Sequence, residues 1–296
     1  MRILRASAVL IASWCAISPP VRSAQIFRAA IDATSVPVSV RAGNRPVAGL
    51  TAADFELLDN GVLQKIDSVI VEMVPIDLTV VLDTSASLSE DAVQRFVDEL
   101  RQMVRLLQPE DRIRVLTFGT HVKEVVSRQL AVQSMPALPA QPDGATAFFN
   151  AIVAALVIES TPERPHLVVA LGDGGDNMGL IDARDVADVA RRSDAVLYLL
   201  LHGELGGVGR GWLPFRGPGN LDPLRTAAIA TGGKYERTSG PQPVLALVKQ
   251  AIADFRASYL LWFTPTGVPV PGWHELSVRV RSGKYTVVAR KGYFGG

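Results

Sequence analysis

Leu78 to Leu82 is an apolar and β-branched run, long enough for one buried strand, and it stops abruptly at Asp83-Thr84-Ser85-Ala86-Ser87. Ser89-Glu90-Asp91 follows, and then a helical pattern with apolar residues at Val93, Phe96, Val97, Leu100, Met103, Val104 and Leu107. A carboxylate, two hydroxyls and a helix start therefore sit at the C-terminal end of a strand. In an open α/β sheet that is the edge where ligands bind. The Asp-x-Ser-x-Ser spacing sends Asp83, Ser85 and Ser87 the same way around a tight turn. One carboxylate with two neutral hydroxyls is a hard, oxygen-only donor set, suited to Mg²⁺ or Mn²⁺, less to Ca²⁺, and least to Zn²⁺. The same residues also read more plainly, with Asp83 ending a strand and Ser87 or Ser89 capping the helix. The rest of the chain bears on the choice.

Strand and helix patterns alternate from Asp77 onward. Helices are expected over Ser89–Leu107, Ala147–Ile158, Ala183–Arg192, Leu221–Thr231 and Pro243–Ala257, and strands over Ile113–Phe118, Val122–Val126, Leu167–Leu171 and Ala195–Leu201. Residues 133–145 read as a loop, and so do residues 203–219, which hold seven glycines together with Trp212 and Phe215. This alternation predicts a Rossmann-like, doubly wound α/β fold whose mostly parallel sheet is covered on both faces.

Both flanks read as β. Val36, Val38 and Val40 alternate, and Pro37 assigns that run to an edge strand. Phe55 and Leu57 open a second strand, Asn60-Gly61 is a hairpin turn, and Val62, Gln64 and Ile66 return from it. After the last helix, Tyr259–Phe263, Glu275–Val280 and Tyr285–Ala289 are strand candidates, with Ser282-Gly283 turning between the last two. Neither flank carries enough apolar surface to fold alone. The economical arrangement is one small β-sandwich built from both ends, with the α/β domain inserted. That gives residues 25–74 as an N-terminal β segment, 75–257 as the α/β domain, and 258–296 as the segment that completes the sandwich.

Residues 1–24 read as a signal peptide. Arg2 and Arg5 precede the apolar run Ala6 to Ile17, which is too short to span a bilayer, and cleavage is expected near Ser23 or Ala24. Its removal takes away three Arg and no acid, turning a formal charge of +1 into −2, and takes away Cys15, the only cysteine. The expected mature protein is exported, periplasmic or extracellular, with no disulfide and no transmembrane segment. No basic block suggests nucleic acid.

Two further positions join Asp83. Thr146, in Asp143-Gly144-Ala145-Thr146, precedes a helix, and Asp173 follows the strand Leu167–Leu171. Each has a plainer role, Thr146 as a helix cap and Asp173 as the start of a Gly-rich turn, and Asp176 competes with Asp173. Taken together, Asp83, Ser85, Ser87, Thr146 and Asp173 converge from three loops on one sheet edge.

Asp83-x-Ser85-x-Ser87, Thr146 and Asp173-Gly174 resemble the metal-ion-dependent adhesion site of von Willebrand factor type A domains. Leu50-Thr51-x-x-Asp54-Phe55, Asp59-Asn60-Gly61-x-x-Gln64-x-Ile66, Thr231-Gly232-Gly233, Trp273-His274-x-Leu276-x-Val278 and Ala289-Arg290-Lys291-Gly292-Tyr293-Phe294 resemble a bacterial subfamily of such proteins abundant in Acidobacteria. One departure is Gly172, where that family usually has Thr or Ser. The resemblance implies a divalent cation, Mg²⁺ or Mn²⁺, held by the five residues with one position open to an Asp or Glu carboxylate of a protein partner.

Enzyme signatures are missing. A haloacid-dehalogenase-type phosphatase needs an Asp at the position of Ser85. His121, His166, His202 and His274 are scattered rather than spaced as zinc ligands. Ser85 and Ser87 lack the Gly-x-Ser-x-Gly elbow, and Gly207-Val208-Gly209-Arg210-Gly211 does not link a strand to a helix. The expected function is metal-dependent protein binding and not catalysis. The alternatives are a structural module with an idle site and, behind it, a metal-dependent hydrolase.

Overall fold

The computed structural model describes residues 33–43, 45–71, 75–138, 141–158, 161, 164–178, 181–202, 222–238 and 244–295. The expected signal peptide with Cys15, and the glycine-rich stretch with Trp212 and Phe215, lie outside these residues. The chain opens with β1 (Thr34–Ala42), β2 (Arg45–Pro46), β3 (Phe55–Asp59), β4 (Val62–Gln64) and β5 (Ile66–Ile70). The middle runs β6 (Asp77–Asp83), α1 (Glu90–Val104), β7 (Arg112–Phe118), β8 (Val122–Leu130), α2 (Phe148–Leu156), β9 (His166–Gly172), α3 (Ala183–Arg192), β10 (Val196–His202), α4 (Asp222–Ala230), β11 (Lys234–Thr238) and α5 (Val244–Arg256). Then come β12 (Tyr259–Phe263), β13 (Gly272–Val280), β14 (Thr286–Ala289) and β15 (Gly292–Gly295).

The middle segment forms one six-stranded sheet in the order β11-β10-β9-β6-β7-β8. Its pairs are parallel except β7 with β8, which is antiparallel. β6 and β9 are buried along their whole length, as a strand covered on both faces must be. One face packs Leu78, Val80 and Leu82 against Phe96 and Leu100 of α1 and Val248 and Phe255 of α5. The other packs Val81 and Phe118 against Phe148 and Ile152 of α2, Val186 of α3 and Leu224 of α4. The connection from β6 leads to β7 on one side, and the chain then returns to β9 on the other. The order reverses between β6 and β9, and the crevice at a reversal point lies outside the C-terminal ends of those two strands. Asp83 and Asp173 leave the sheet there.

The flanking strands form two small sheets, and each draws on both ends of the chain. One runs β14-β1-β12-β5 with β2 attached to β1, and the other runs β15-β13-β3-β4. Val36, Val38, Val40, Phe55, Leu57, Tyr259, Leu261, Phe263, Leu276 and Tyr293 share one core. Asn60 (φ 46) and Gly61 (φ 80) make the tight β3–β4 turn, with Asp59 opposite Val62. β1 corrects the edge-strand expectation, because it lies between β12 and β14. Pro37 is tolerated because β14 pairs with β1 only from Val38 onward, so at Pro37 one flank of β1 is free. β15 and β11 are strands that the periodicity does not mark.

Asp59, His274 and Tyr293 form a buried cluster in this sandwich. His274 Nδ1 lies 2.8 Å from Asp59 Oδ1, and the Tyr293 hydroxyl donates to Asp59 Oδ2 at 2.7 Å. Asp59 comes from the N-terminal flank and its two partners from the C-terminal flank. Arg290 joins sandwich to α/β unit, donating to Asp194 at 3.0 Å and to the Ser193 carbonyl at 3.1 Å. An Arg41–Asp254 ion pair makes a second joint.

His166 opens β9 at the opposite end of the sheet from the crevice, with Nε2 2.8 Å from Thr79 Oγ1. Burial, with Arg114 and Arg128 nearby, pushes its imidazole down to about 4. An unfolded His takes its proton near 6.5, so the stabilisation is complete above that pH and is lost as the pH falls from about 6.5 to about 4. The loss attributable to His166 is roughly 3 kcal/mol. In urea unfolding at pH 7 and pH 4.5, His166→Gln is expected to lose less stability on acidification than the wild type. An identical loss in both would show that His166 is not responsible.

Candidate functional site

Each site residue is placed by the end of a strand or by a loop tied to one. Asp83 is the last residue of β6 and is 1 % exposed. The chain turns immediately, held by Thr84, whose amide and hydroxyl both donate to the Phe118 carbonyl, at 2.9 and 3.0 Å. Inside the turn the Ser85 amide and hydroxyl donate to Asp83 Oδ1 at 2.9 and 2.6 Å, and the Ser85 and Ser87 hydroxyls lie 2.7 Å apart. The Asp-x-Ser-x-Ser residues thus form one hydrogen-bonded group. Ser89 is the N-cap of α1, accepting from the Ala92 amide at 3.2 Å. Ser89 rather than Ser87 therefore fills the capping role.

The loop carrying Thr146 is laced onto the same edge. The Asp143 amide donates to the Thr84 carbonyl at 2.8 Å, the Ala86 amide to the Gly144 carbonyl at 3.0 Å, and the Ala147 amide to the Gly119 carbonyl at 3.0 Å. Two glycines permit this approach. A Cβ on Gly119 would stand 2.2 Å from the Asp143 carbonyl oxygen, and Gly144 (φ 73) would bring one to 2.0 Å from Thr120 Oγ1. Thr146 itself is 3 % exposed. It does not cap its helix, whose N-cap is Ala147 without a side-chain bond. Its main chain is instead clamped by Asn177, which accepts from the Thr146 amide at 2.7 Å and donates its own amide to the Thr146 carbonyl at 3.0 Å. No hydrogen bond links the Thr146 hydroxyl to the other four candidates.

Asp173 follows β9 and bends back on itself, with Oδ1 accepting from the Gly175 amide at 2.7 Å. Asp176, the competing carboxylate, is committed elsewhere. Its Oδ2 accepts from the Phe149 amide at 2.8 Å in the first turn of α2, and its Oδ1 from Met178. Asp173 is therefore the carboxylate beside Asp83, and Asp176 serves a helix. Asn177 is the residue the sequence reading missed. Its partner is a main chain 31 residues away, and nothing in its neighbourhood advertises that.

The electrostatics of this group are unbalanced. Asp83 Oδ2 and Asp173 Oδ2 are both buried and neither has a hydrogen-bond partner. The Asp173 amide faces the Asp83 carboxylate, but not with the geometry of a bond to Oδ2. Burial, and then the charge of Asp173, push the Asp83 carboxyl up to about 7, against the pull of its Ser85 hydrogen bonds. Two buried carboxylates with one bare oxygen each are costly unless a proton or a cation offsets them. Among the described residues no three His, Cys, Asp or Glu side chains gather in a metal-sized cluster. The donors are two carboxylates plus hydroxyls, and such a set fits a hard divalent cation. The four histidines do not form an alternative centre: His166 and His274 are buried in separate sheets, His121 is an exposed turn residue, and the side chain of His202 is not described.

The chain's similarities to known proteins agree with this geometry. The family model described as von Willebrand factor type A domain matches residues 77–203. Among solved structures, BatB from Bacteroides thetaiotaomicron is similar at 14 % identity, over 61 % of this chain and 98 % of that one, with a TM-score of 0.44. The manganese-loaded TRAP protein of Plasmodium vivax is similar at 15 % identity, over 80 % of this chain and 98 % of that one, with a TM-score of 0.44. A von Willebrand factor type A protein from Catenulispora acidiphila is similar at 12 % identity, over 86 % of this chain and 71 % of that one, with a TM-score of 0.46. No curated protein matches the chain. No helix among the described residues is long and apolar enough to cross a membrane.

Proposed function

We propose that this chain, which carries a von Willebrand factor type A domain at residues 77–203, is an exported protein-binding module that captures a carboxylate of its partner through a divalent cation. Asp83, Ser85, Ser87, Thr146 and Asp173 would hold the cation, Mg²⁺ or Mn²⁺. Residues 75–257 are the binding domain in this reading, the flanks form a small β domain, and residues 1–24 direct export to the periplasm or beyond. The observation that carries the proposal is the pair of buried, unpartnered oxygens, Asp83 Oδ2 and Asp173 Oδ2, at the reversal point of the sheet. The bound cation supplies a Lewis-acidic position to which an Asp or Glu oxygen of a second protein can bond. The chain's own part is to fix the donors. The Asp83–Ser85–Ser87 hydrogen bonds orient one turn, and Asn177 holds the Thr146 loop to the other.

We assign no catalytic residue, because the two carboxylates are tied to backbone amides and hydroxyls and no general base or nucleophile faces them. A structural module with an idle site is the competing reading. It has one observation in its favour, that Ser85 and Ser87 already satisfy each other. Capture on immobilised peptides separates the two. Peptides containing Asp or Glu are expected to retain the protein in Mg²⁺, while their Asn or Gln counterparts, chelator, or Asp83→Ala release it. Retention undiminished by chelator and by Asp83→Ala would refute carboxylate capture through a cation.

A further inference from the structure

Gly172 ends β9 beside the Asp83 carboxylate on the adjacent strand β6. Its backbone is extended and outside the region that favours glycine, so any residue is conformationally allowed there. Space is the unusual feature. A Cβ at this position would stand 3.1 Å from Asp83 Oδ2, 3.4 Å from Asp83 Cβ and 3.5 Å from the Phe118 ring. The glycine therefore lies against the one Asp83 oxygen that has no partner. Asp83 Oδ1, by contrast, already takes both the amide and the hydroxyl of Ser85. A serine at 172 would carry its hydroxyl one bond beyond that Cβ, within hydrogen-bonding range of Oδ2. Such a donor would occupy a lone pair and disperse the charge of the carboxylate.

We propose that Gly172 sets the affinity of the cation site: by withholding a side chain it keeps Asp83 Oδ2 bare, so the chain holds its cation without help from a partner's carboxylate. The inference rests on the cation reading above and goes further, since it makes metal loading precede partner capture. It also explains why the protein tolerates an unsatisfied buried oxygen beside a position where a hydroxyl would fit. The oxygen is satisfied only when the cation is present.

Mn²⁺ titration calorimetry and thermal unfolding of the full chain test this, with Gly172→Ser and Gly172→Ala beside the wild type. Gly172→Ser is expected to unfold at a higher temperature than the wild type in chelator, because its hydroxyl satisfies Oδ2. The same variant is expected to bind Mn²⁺ about tenfold more weakly. Gly172→Ala adds the same Cβ without the hydroxyl, and should show no gain in chelator while keeping most of the affinity. Opposite signs in chelator and in metal are a signature that simple disruption does not give. Equal losses in the two variants would make the effect steric and overturn the proposal, as would wild-type affinity in Gly172→Ser. A wild-type chain that binds no Mn²⁺ by itself would also overturn it, leaving carboxylate capture to be judged by peptide retention.

Discussion

Asp83→Asn is expected to abolish stabilisation by Mg²⁺ or Mn²⁺ while leaving the chelator-treated protein at least as stable as the wild type. The substitution keeps the shape of the side chain and an oxygen for the Ser85 donors, but removes one of two buried charges that sit side by side. Without a cation those charges oppose each other, as the upward push on Asp83 by burial and Asp173 shows, so deleting one costs little. With a cation they are the main attraction. At a metal concentration about 100 times its Kd the wild type should gain about 2.7 kcal/mol. For a chain of this size that corresponds to a rise of roughly 5–10 °C in the unfolding midpoint. Differential scanning calorimetry with Mg²⁺, with Mn²⁺ and with chelator reads it directly. An increment retained by Asp83→Asn would mean that the metal binds elsewhere.

Asp59→Ala should be the most damaging single change in the sandwich. Asp59, His274 and Tyr293 are 0 %, 2 % and 7 % exposed, so water cannot replace a lost partner. Removing the carboxylate strands the His274 ring and the Tyr293 hydroxyl together, at a cost of roughly 3–5 kcal/mol. Tyr293→Phe leaves the Asp59–His274 contact in place and should cost less, about 1.5–3 kcal/mol. Hydrogen exchange at the β3 and β13 amides, with urea unfolding, measures both. Protection is expected to fall in the sandwich and to persist in β6 and β9. Equal costs for the two variants would mean that the hydroxyl alone carries the cluster.

The α/β unit was legible because its elements are long and buried. α3 spans Ala183–Arg192 with buried Ala183, Val186, Ala187 and Ala190 spaced for one face, and Asp182 caps it. β6 and β9 read as apolar runs because helices cover both their faces. β11, with Lys234, Glu236 and Arg237, pairs on one side only and presents no apolar run. β15 has four residues, two of them glycine. Pro37 misled because a proline reports on local pairing, and β1 has a free flank at that one position. Four of the five candidate site residues were readable as strand ends or the turn after one. Thr146 needed its loop, and Asn177, which holds that loop, acts on a main chain far away in sequence.

The motifs outside the α/β unit have structural duties, which explains why they carried the resemblance without forming part of the site. Gln64 Oε1 accepts from the Thr266 amide at 2.9 Å. Thr231 Oγ1 accepts from the Leu197 amide at 2.9 Å, and a Cβ on Gly233 would stand 1.9 Å from the Leu197 carbonyl oxygen. A Cβ on Gly292 would strike the His274 carbonyl and the Trp273 ring. Arg290 is the joint to the α/β unit. These residues specify the sandwich and its attachment.

The interleaving of the two ends also sets an order of events when the protein folds. The six-stranded sheet is closed by residues 77–238, and its central pairs join segments separated by one or two elements. The small sheets pair Val36 with Leu261 and Leu57 with Val278, more than two hundred residues apart. Contacts so distant in sequence form slowly, because the intervening loop must close first. The α/β unit, once folded, shortens that loop. It brings the strand leading into it and the strand leading out of it together, as Ile70 opposite Leu260 records. The domain that carries the binding edge thus acts as a template for the sandwich, and until the C-terminal strands arrive β1 and β3 wait with their edges unpaired.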